Sequence, residues 1–272
     1  NEYPYLIQTT PNIRVNSRPC CDAALRCTIG LYPFFRFLHF FMASRSASSS
    51  SLPCRLPSDS ANIAGALVLP GRPRERSCAV VGSSDILRLD PRGPEIDAHS
   101  IIWRLNNAPT VGWEHAVGRR TSVRVVNHVP LEKWVRLARN RSALDRTADG
   151  DEYHSLLCAP EHTALGCVAL HWPGIKRTLD SYRSAHESHR VSLASDTLHR
   201  WGARCNSELR GTSPSGGLLT VLLALASCAS PVSLFGFWPF CCGQKSVNYK
   251  YFQGNRTRFV CCSRGRERME GE

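Results

Sequence analysis

The chain is short of acidic residues and lacks several patterns that would assign it to a common class. It has 22 Asp and Glu against 34 Lys and Arg, a net charge of +12, which favours anionic partners such as a nucleotide, an acidic sugar, a nucleic acid or a membrane surface. A run of five or six like charges is missing, so a nucleic-acid-binding arm is disfavoured. The uninterrupted stretch of about 20 apolar residues that a spanning helix needs is missing too.

The spacing of a zinc site is also absent, although cysteine is abundant. None of the 13 cysteines has the C-x2-C spacing of a zinc ligand pair, and those closest in sequence are the vicinal pairs Cys20-Cys21, Cys241-Cys242 and Cys261-Cys262. We therefore expect no metal. Two N-glycosylation sequons begin at Asn140 and Asn255. Together with so many cysteines they favour an oxidising secretory compartment.

The glycines of a dinucleotide-binding loop are missing as well. Such a loop needs three glycines, as G-x-G-x-x-G at the start of a helix, and VVGSSDIL at residues 80–87 has one. NAD binding is therefore disfavoured. What is present is a short apolar run, CAVVG, ending in a turn in which Gly82, Ser83 and Ser84 can face a phosphate or a ribose.

Short apolar runs alternate with helical patterns from about residue 71 onward. This alternation predicts an α/β fold: a doubly wound, mainly parallel sheet with helices on both faces. Helices are predicted at 176–190, 194–204 and, after a Ser-Pro-Ser start signal, at 215–227. The predicted strands lie at 78–82, 100–106, 122–127, 167–173 and, as the last convincing one, 231–240.

The pattern divides the chain into an N-terminal segment, residues 1–70, and a globular domain, residues 71–272. Residues 29–43 are rich in aromatics but interrupted by Pro, Arg and His, and predict either a damaged membrane anchor or an amphipathic segment. Residues 44–60 are Ser-rich and predict a flexible stalk. An anchor, a stalk and a globular domain in this order are typical of a type II membrane enzyme.

Two stretches of the domain resemble a known family. Residues 78–121 contain CAVVG, EID, RLNNAPT and VGRRT in order, which is similar to the large sialyl motif of the eukaryotic sialyltransferases, glycosyltransferase family 29. Residues 213–237, SPSGGLLTVLLALASCASPVSLFGF, resemble the small sialyl motif. GFWPF at 236–240 and VNYKYF at 247–252 are most similar to the branch that forms α2,8 linkages.

The resemblance implies a Rossmann-like, GT-A-type variant of the α/β fold and an activity. The chain would transfer sialic acid from CMP-sialic acid, with inversion, to a hydroxyl of a glycoprotein or glycolipid acceptor. It would need no cofactor and no metal, and nucleic acid would not be a partner. The implied location is the Golgi membrane, with the catalytic domain in the lumen.

The resemblance also implies which residues bind the CMP-sugar and which cysteines pair. Asn106 would offer its amide to the nucleotide, and Ser215, Gly216 and Gly217 would hold the sialic acid carboxylate at a helix start. Cys78 and Cys228 would form the disulfide between the two motifs. The complete set implied for CMP-sialic acid is Ser83, Asn106, Ser215, Gly216, Gly217, Trp238, Pro239 and Tyr249.

The family's catalytic residues are where the chain departs from the pattern. Lys250 stands where the family has a histidine that helps the departing phosphate, and Ser83 replaces an Asn. The later His-x4-Glu motif that supplies the general base has no counterpart, since no histidine follows His199 in the 272 residues. We therefore assign no catalytic residue from the sequence.

Three hypotheses follow from this mixture. The chain is an active sialyltransferase, or it is a catalytically impaired relative that keeps the CMP-sugar-binding fold, or it is a basic nucleic-acid binder suggested by net charge alone. General-base catalysis contributes about 10²–10⁴-fold, so the second hypothesis predicts transfer at least about a hundredfold slower than that of a relative with both histidines.

Overall fold

A seven-stranded parallel sheet organises the chain. The computed structural model describes residues 13–15, 63, 69, 76–139, 157–207, 214–228, 232–237, 246–248, 250–252, 257–261 and 267–271. The strands of this sheet are β1 (Ile13–Val15), β2 (Cys78–Val81), β3 (Ile101–Leu105), β4 (Val123–Val126), β5 (Cys167–Ala169), β6 (Val191–Leu193) and β7 (Val232–Phe235). Their order is β1-β7-β2-β3-β4-β5-β6, and every neighbouring pair is parallel.

Helices cover both faces of the sheet. They are α1 (Ile86–Leu89), α2 (Gly93–Asp97), α3 (Glu114–Val117), α4 (His128–Arg139), α5 (Ile175–Ala185), α6 (Asp196–Ser207) and α7 (Gly216–Ser227). Helices α1 to α5 pack on one face, and α6 and α7 on the other. Right-handed crossovers explain the division, because the chain winds outward from β2 to β6 and then returns across the sheet to β7.

Alternating side chains of each strand enter the two cores. Along β2, Cys78 and Val80 contact the α7 side, whereas Ala79 and Val81 contact the side of α1 and α2. All four residues are buried. Burial on both faces explains why these strands are continuous apolar runs without polar alternation.

The structure confirms the doubly wound α/β class and corrects several element bounds. The helix predicted at 176–190 ends at Ala185, and residues 191–193 form strand β6 on the edge of the sheet. The strand predicted at 167–173 ends at Ala169. Pairing with a neighbouring strand decides where these elements end, and the apolar pattern of one sequence contains no information on that pairing.

The strand predicted at 231–240 forms as β7, Val232–Phe235, but it is not the last strand of the chain. Three further strands form a separate antiparallel sheet in the order β10-β9-β8. They are β8 (Ser246–Asn248), β9 (Thr257–Cys261) and β10 (Glu267–Gly271). The sequences of the last two, TRFVC and ERMEG, mix charged and apolar residues. Cross-strand pairing therefore defines them, and an apolar run does not.

Residues before position 71 contribute to the domain. Ile63 is fully buried in the core on the α7 side, and its carbonyl accepts a hydrogen bond from the Ser195 N–H. The Leu69 carbonyl accepts one from the Arg76 guanidinium, at 2.9 Å. The segments predicted as anchor, 29–43, and stalk, 44–60, lie outside the described residues. In the part of the chain that is described, no helix is long and apolar enough to cross a bilayer.

Candidate functional site

The topology places a ligand-binding edge at the carboxyl ends of β2 and β7. The chain leaves β2 in one direction and returns to β7 on its other side, so these strands flank the point where the winding reverses. Open α/β sheets bind ligands at this point. Gly82 donates its N–H to the Phe235 carbonyl at 2.7 Å, and a Cβ on Gly82 would lie 2.3 Å from the Gly236 oxygen. The turn that follows β2 is therefore held closely against the end of β7.

Asn106 occupies a constrained turn at the end of β3. Its φ of 46° is in the left-handed region, which asparagine tolerates better than most residues. Its Oδ1 accepts the Asn127 N–H at 2.9 Å. The buried Arg124 donates to the carbonyls of Asn106 and Ala108, at 2.6 and 3.1 Å. Main chain, side chain and a buried guanidinium thus hold the Asn106 amide in place at this edge.

The amino terminus of α7 faces the same edge. Ser215 is its N-cap, and the Ser215 Oγ accepts the Leu218 N–H at 3.2 Å. The N–H groups of Gly216 and Gly217 precede the first intrahelical bond, from Leu219 to Ser215. Unpaired N–H groups and the helix dipole favour an anion here.

Direct contacts connect these three pieces. A Cβ on Gly216 would lie 2.7 Å from the Asn127 Oδ1, and the Asn127 N–H donates a hydrogen bond to the Asn106 Oδ1. A Cβ on Gly217 would lie 3.2 Å from the Phe237 ring. Ser83 lies in the turn held against Gly236. The structure therefore brings Ser83, Asn106 and residues 215–217 to one edge of the sheet, while Trp238, Pro239 and Tyr249 lie outside the described residues. The role of all eight residues in binding CMP-sialic acid stays a prediction.

The last residue of β8 and the segment after it dock against the turn that follows β2. The Asn248 amide donates to the Asp85 carboxylate at 2.8 Å, and the Tyr251 N–H donates to the Ser83 carbonyl at 2.9 Å. The Tyr251 hydroxyl donates to the Pro109 carbonyl. Sequence reasoning missed Asn248 and Tyr251, although both belong to the VNYKYF stretch that it singled out.

Lys250 lies within this docked segment. It is half-buried, and burial lowers the pKa of its ammonium group. Its Nζ lies 5.5 Å from the centroid of the Phe252 ring. Because its neighbour Tyr251 is bonded to Ser83, the structure places Lys250 next to the turn that a phosphate would approach.

Other residues of the large motif have a structural role. The Asp97 carboxylate accepts the N–H groups of Arg119 and Arg120, at 2.8 and 3.0 Å. The buried Arg104 donates to the carbonyls of Val117 and Arg120, at 2.7 and 2.8 Å. These bonds explain why EID, RLNNAPT and VGRRT occur together, since each segment satisfies polar groups of another.

Two disulfides cross-link the described residues. Cys78 and Cys228, whose Cα atoms are 6.5 Å apart, join the start of β2 to the end of α7. Cys158 and Cys167, 5.5 Å apart, hold the segment before β5 to that strand. The sequence contains no sign of the second bond, because no motif connects these two cysteines, which are nine positions apart.

An open pocket of about 120 Å³ lies beside the start of α7, at the carboxyl ends of β4 and β5. The His171 Nδ1 lies 3.0 Å from the Asp196 Oδ1. The imidazole of His128 stacks on the Trp172 indole, with ring centroids 4.3 Å apart. Sequence reasoning missed this pocket, although two of its histidines, His128 and His171, each lie two residues after the end of a strand. Its lining consists of Asn127, His128, Leu170, His171, Trp172, His199, Pro214, Gly216 and Leu219.

Comparisons with known proteins agree on one family. The model of glycosyltransferase family 29 (sialyltransferase) matches residues 56–263. "Sialyltransferase-like protein 2" of Oryza sativa subsp. indica is 32% identical over 253 residues, covering 82% of this chain and 61% of that protein. The human "alpha-N-acetyl-neuraminyl-2,3-beta-galactosyl-1,3-N-acetyl-galactosaminide alpha-2,6-sialyltransferase" is 32% identical over 199 residues, covering 66% of this chain and 61% of that protein. The chain thus spans about three fifths of the length of these two relatives.

A solved structure is also similar. The crystal structure of a mammalian sialyltransferase in complex with Gal-beta-1-3GalNAc-ortho-nitrophenol is 19% identical, with a TM-score of 0.44, covering 82% of this chain and 76% of that chain. The family match covers most of the chain, from residue 56 to 263. The chain therefore belongs to glycosyltransferase family 29, the sialyltransferases.

Proposed function

We propose that the chain transfers sialic acid from CMP-sialic acid to a hydroxyl of a glycoprotein or glycolipid acceptor, with inversion at the anomeric carbon. The observation that carries the proposal is the contact between Asn106, Asn127 and Gly216 at the winding reversal of the sheet. This contact joins an amide suited to a nucleotide to a helix start suited to a carboxylate.

Each part of the donor has a counterpart in the site. The Asn106 amide would bind the cytidine nucleotide, and the N–H groups of Gly216 and Gly217 would bind the sialic acid carboxylate. Lys250 would neutralise the phosphate as the bond from its oxygen to the anomeric carbon breaks. Trp238 and Pro239 would stack on the nucleotide. We expect no metal and no cofactor in this reaction.

The proposed location is the lumen of the Golgi. Two disulfides within the described residues support it, because such bonds persist in oxidising compartments. The α2,8 linkage suggested by residues 236–240 and 247–252 stays a prediction. The human relative reported above is named for an α2,6 linkage.

Removing the Asn106 amide tests donor binding. Asn106→Gly keeps the left-handed turn accessible and deletes the side chain. We expect the dissociation constant for CMP, measured by calorimetry, to rise about tenfold or more, since a hydrogen bond to a charged group contributes roughly 1.5–3 kcal/mol. Asn107→Gly, at the neighbouring position, is the matched control and should leave the dissociation constant for CMP within about twofold. Unchanged CMP binding by a folded Asn106→Gly chain would contradict the assignment.

The second candidate function is a CMP-sugar-binding protein with impaired catalysis. Lys250, which stands in place of a histidine, favours it. Radiolabelled CMP-sialic acid with a mixed panel of galactosyl and sialyl acceptors distinguishes the two. An impaired chain would bind CMP yet transfer at least about a hundredfold more slowly than a relative with both histidines.

A further inference from the structure

We propose that the pocket beside α7 binds the acceptor sugar, and that His171, oriented by Asp196, removes the proton from the acceptor hydroxyl. The inference rests on the proposed function and adds a catalytic residue that the family resemblance does not supply. The proposed base lies before residue 200, in the part of the sequence that contains all ten histidines.

The His171–Asp196 pair has the arrangement of an oriented base. The His171 Nδ1 lies 3.0 Å from the Asp196 Oδ1. In the neutral imidazole the carboxylate fixes the proton on Nδ1, which leaves the lone pair of Nε2 as the proton acceptor. About a third of the His171 side chain is exposed, at 33%, so a hydroxyl can reach the ring.

The position of the pocket relates this base to the donor. His171 follows β5 and Asn127 follows β4, so both lie at the same edge of the parallel sheet. Gly216 lines the pocket and is also the first residue of α7, where we place the sialic acid carboxylate. An acceptor bound in this pocket would therefore approach the donor from the side of α7.

The lining suits a sugar ring. Trp172 is 47% exposed, although the His128 ring covers one of its faces. An exposed indole face packs against the C–H groups of a pyranose, while neighbouring imidazole and amide groups bond to its hydroxyls. At about 120 Å³ the pocket is smaller than the roughly 300–1,000 Å³ of sites for drug-sized ligands, which favours one partly buried sugar over a second nucleotide.

A metal site is a poor alternative for this group of histidines. Across the described ranges, no group of three or more His, Cys, Asp or Glu side chains has the arrangement to hold a metal ion. The Asp196 carboxylate already bonds to His171, and the His128 ring is stacked on Trp172. These two contacts fix the orientation of the His171 and His128 rings without a metal ion.

The acceptor oxygen forms a bond to the anomeric carbon of sialic acid, and its proton moves to the His171 Nε2. The bond from the anomeric carbon to the phosphate oxygen breaks, and its electron pair leaves with CMP. The imidazolium, stabilised by the Asp196 carboxylate, then loses the proton to solvent.

The test measures acceptor-dependent transfer, acceptor-independent hydrolysis of CMP-sialic acid and CMP binding on the 272-residue chain. His171→Ala should lower kcat for transfer by about a hundredfold or more, with the CMP dissociation constant and the hydrolysis rate within about twofold. Added imidazole should restore part of the transfer. Asp196→Asn should lower kcat about tenfold, and Asp196→Glu should retain most of it. Trp172→Ala should raise the acceptor KM about tenfold at nearly constant kcat.

The control is His115→Gln, an exposed histidine on α3 outside the pocket, which should leave all three measurements unchanged. Equal transfer by His171→Ala and the unchanged chain would overturn the inference. A chain that binds CMP and hydrolyses the donor but transfers to no acceptor would overturn it as well, while sparing donor binding. A chain that fails to bind CMP would instead contradict the proposed function itself.

Discussion

Gly82 is the residue at which the candidate site tolerates the least change. A Cβ there would lie 2.3 Å from the Gly236 oxygen, a main-chain atom that cannot move aside without shifting β7. We expect Gly82→Ala to lower the free energy of unfolding by about 2–4 kcal/mol, as steric strain in a packed core does. Gly217→Ala is the control in urea unfolding. Its Cβ would meet the Phe237 ring at 3.2 Å, and a ring can rotate, so a cost equal to that of Gly82→Ala would refute the argument.

His189 gives the domain a pH-dependent stability. Its Nδ1 lies 2.7 Å from the Tyr182 hydroxyl and its ring stacks on His186 at 4.5 Å. Burial, assisted by the neighbouring His186, lowers the pKa of His189 from 6.5 to about 4. The unfolded chain therefore binds the proton more readily, and the stability present above about pH 6.5 is lost as the pH falls toward 4.

The corresponding measurement is urea unfolding between pH 7 and pH 4. We expect the unfolding free energy to drop by on the order of 2 kcal/mol from this residue. His189→Gln should be less stable than the unchanged chain at pH 7 and should lose less on acidification. Parallel pH curves for the two chains would show that His189 does not titrate between them.

Among the elements, α7 runs from the edge at the carboxyl ends of the strands to the amino-terminal end of β2. It is apolar along its length, and residues 218–224 are all buried, so it packs on β2, β3 and β4 on one side and on α6 on another. Its amino terminus lies at the candidate site, and its carboxyl terminus is bonded to β2 through Cys228 and Cys78. The helix thus holds the anion-binding end in a defined position relative to the β2 turn.

The two disulfides should contribute unequally to stability. In the chain-entropy estimate, a bond closing 150 residues contributes about 5 kcal/mol and one closing nine about 2.5 kcal/mol. Cys78→Ala with Cys228→Ala should therefore lower the unfolding free energy more than Cys158→Ala with Cys167→Ala. All four cysteines are buried, which makes the pairs matched controls for lost packing. A larger loss from the second pair would contradict the loop-length argument.

For the whole molecule, the structural domain extends before residue 71. Ile63 is fully buried, and the family match begins at residue 56. We expect Ile63→Ala to lower the unfolding free energy by about 2–5 kcal/mol, the usual cost of a large-to-small change in a core. Val111→Ala is the control, since Val111 is 64% exposed. Equal stability of the two variants in urea would place the start of the domain after Ile63.

The sequence by itself determined five of the seven strands of the parallel sheet, the buried character of α7 and the family, whereas the edge strands β1 and β6 were not predicted. Those features are local, because a run such as CAVVG or SGGLLTVLLALAS contains its own burial pattern and its own start signal. Asn106 and residues 215–217 could be singled out for the same reason, since each belongs to a motif that is continuous in the chain.

Only the tertiary structure decided which distant residues meet. The Asn248 amide reaches Asp85 across 163 positions, and Cys158 pairs with Cys167 without a motif to announce it. The pocket at His171 exists because two parallel strands end at one edge and the chain then crosses to the opposite face, which brings α6 and α7 over that edge. Crossovers and strand order are properties of the whole sheet. No single stretch of residues records them, and this is why the histidines of the pocket had no visible role in the sequence.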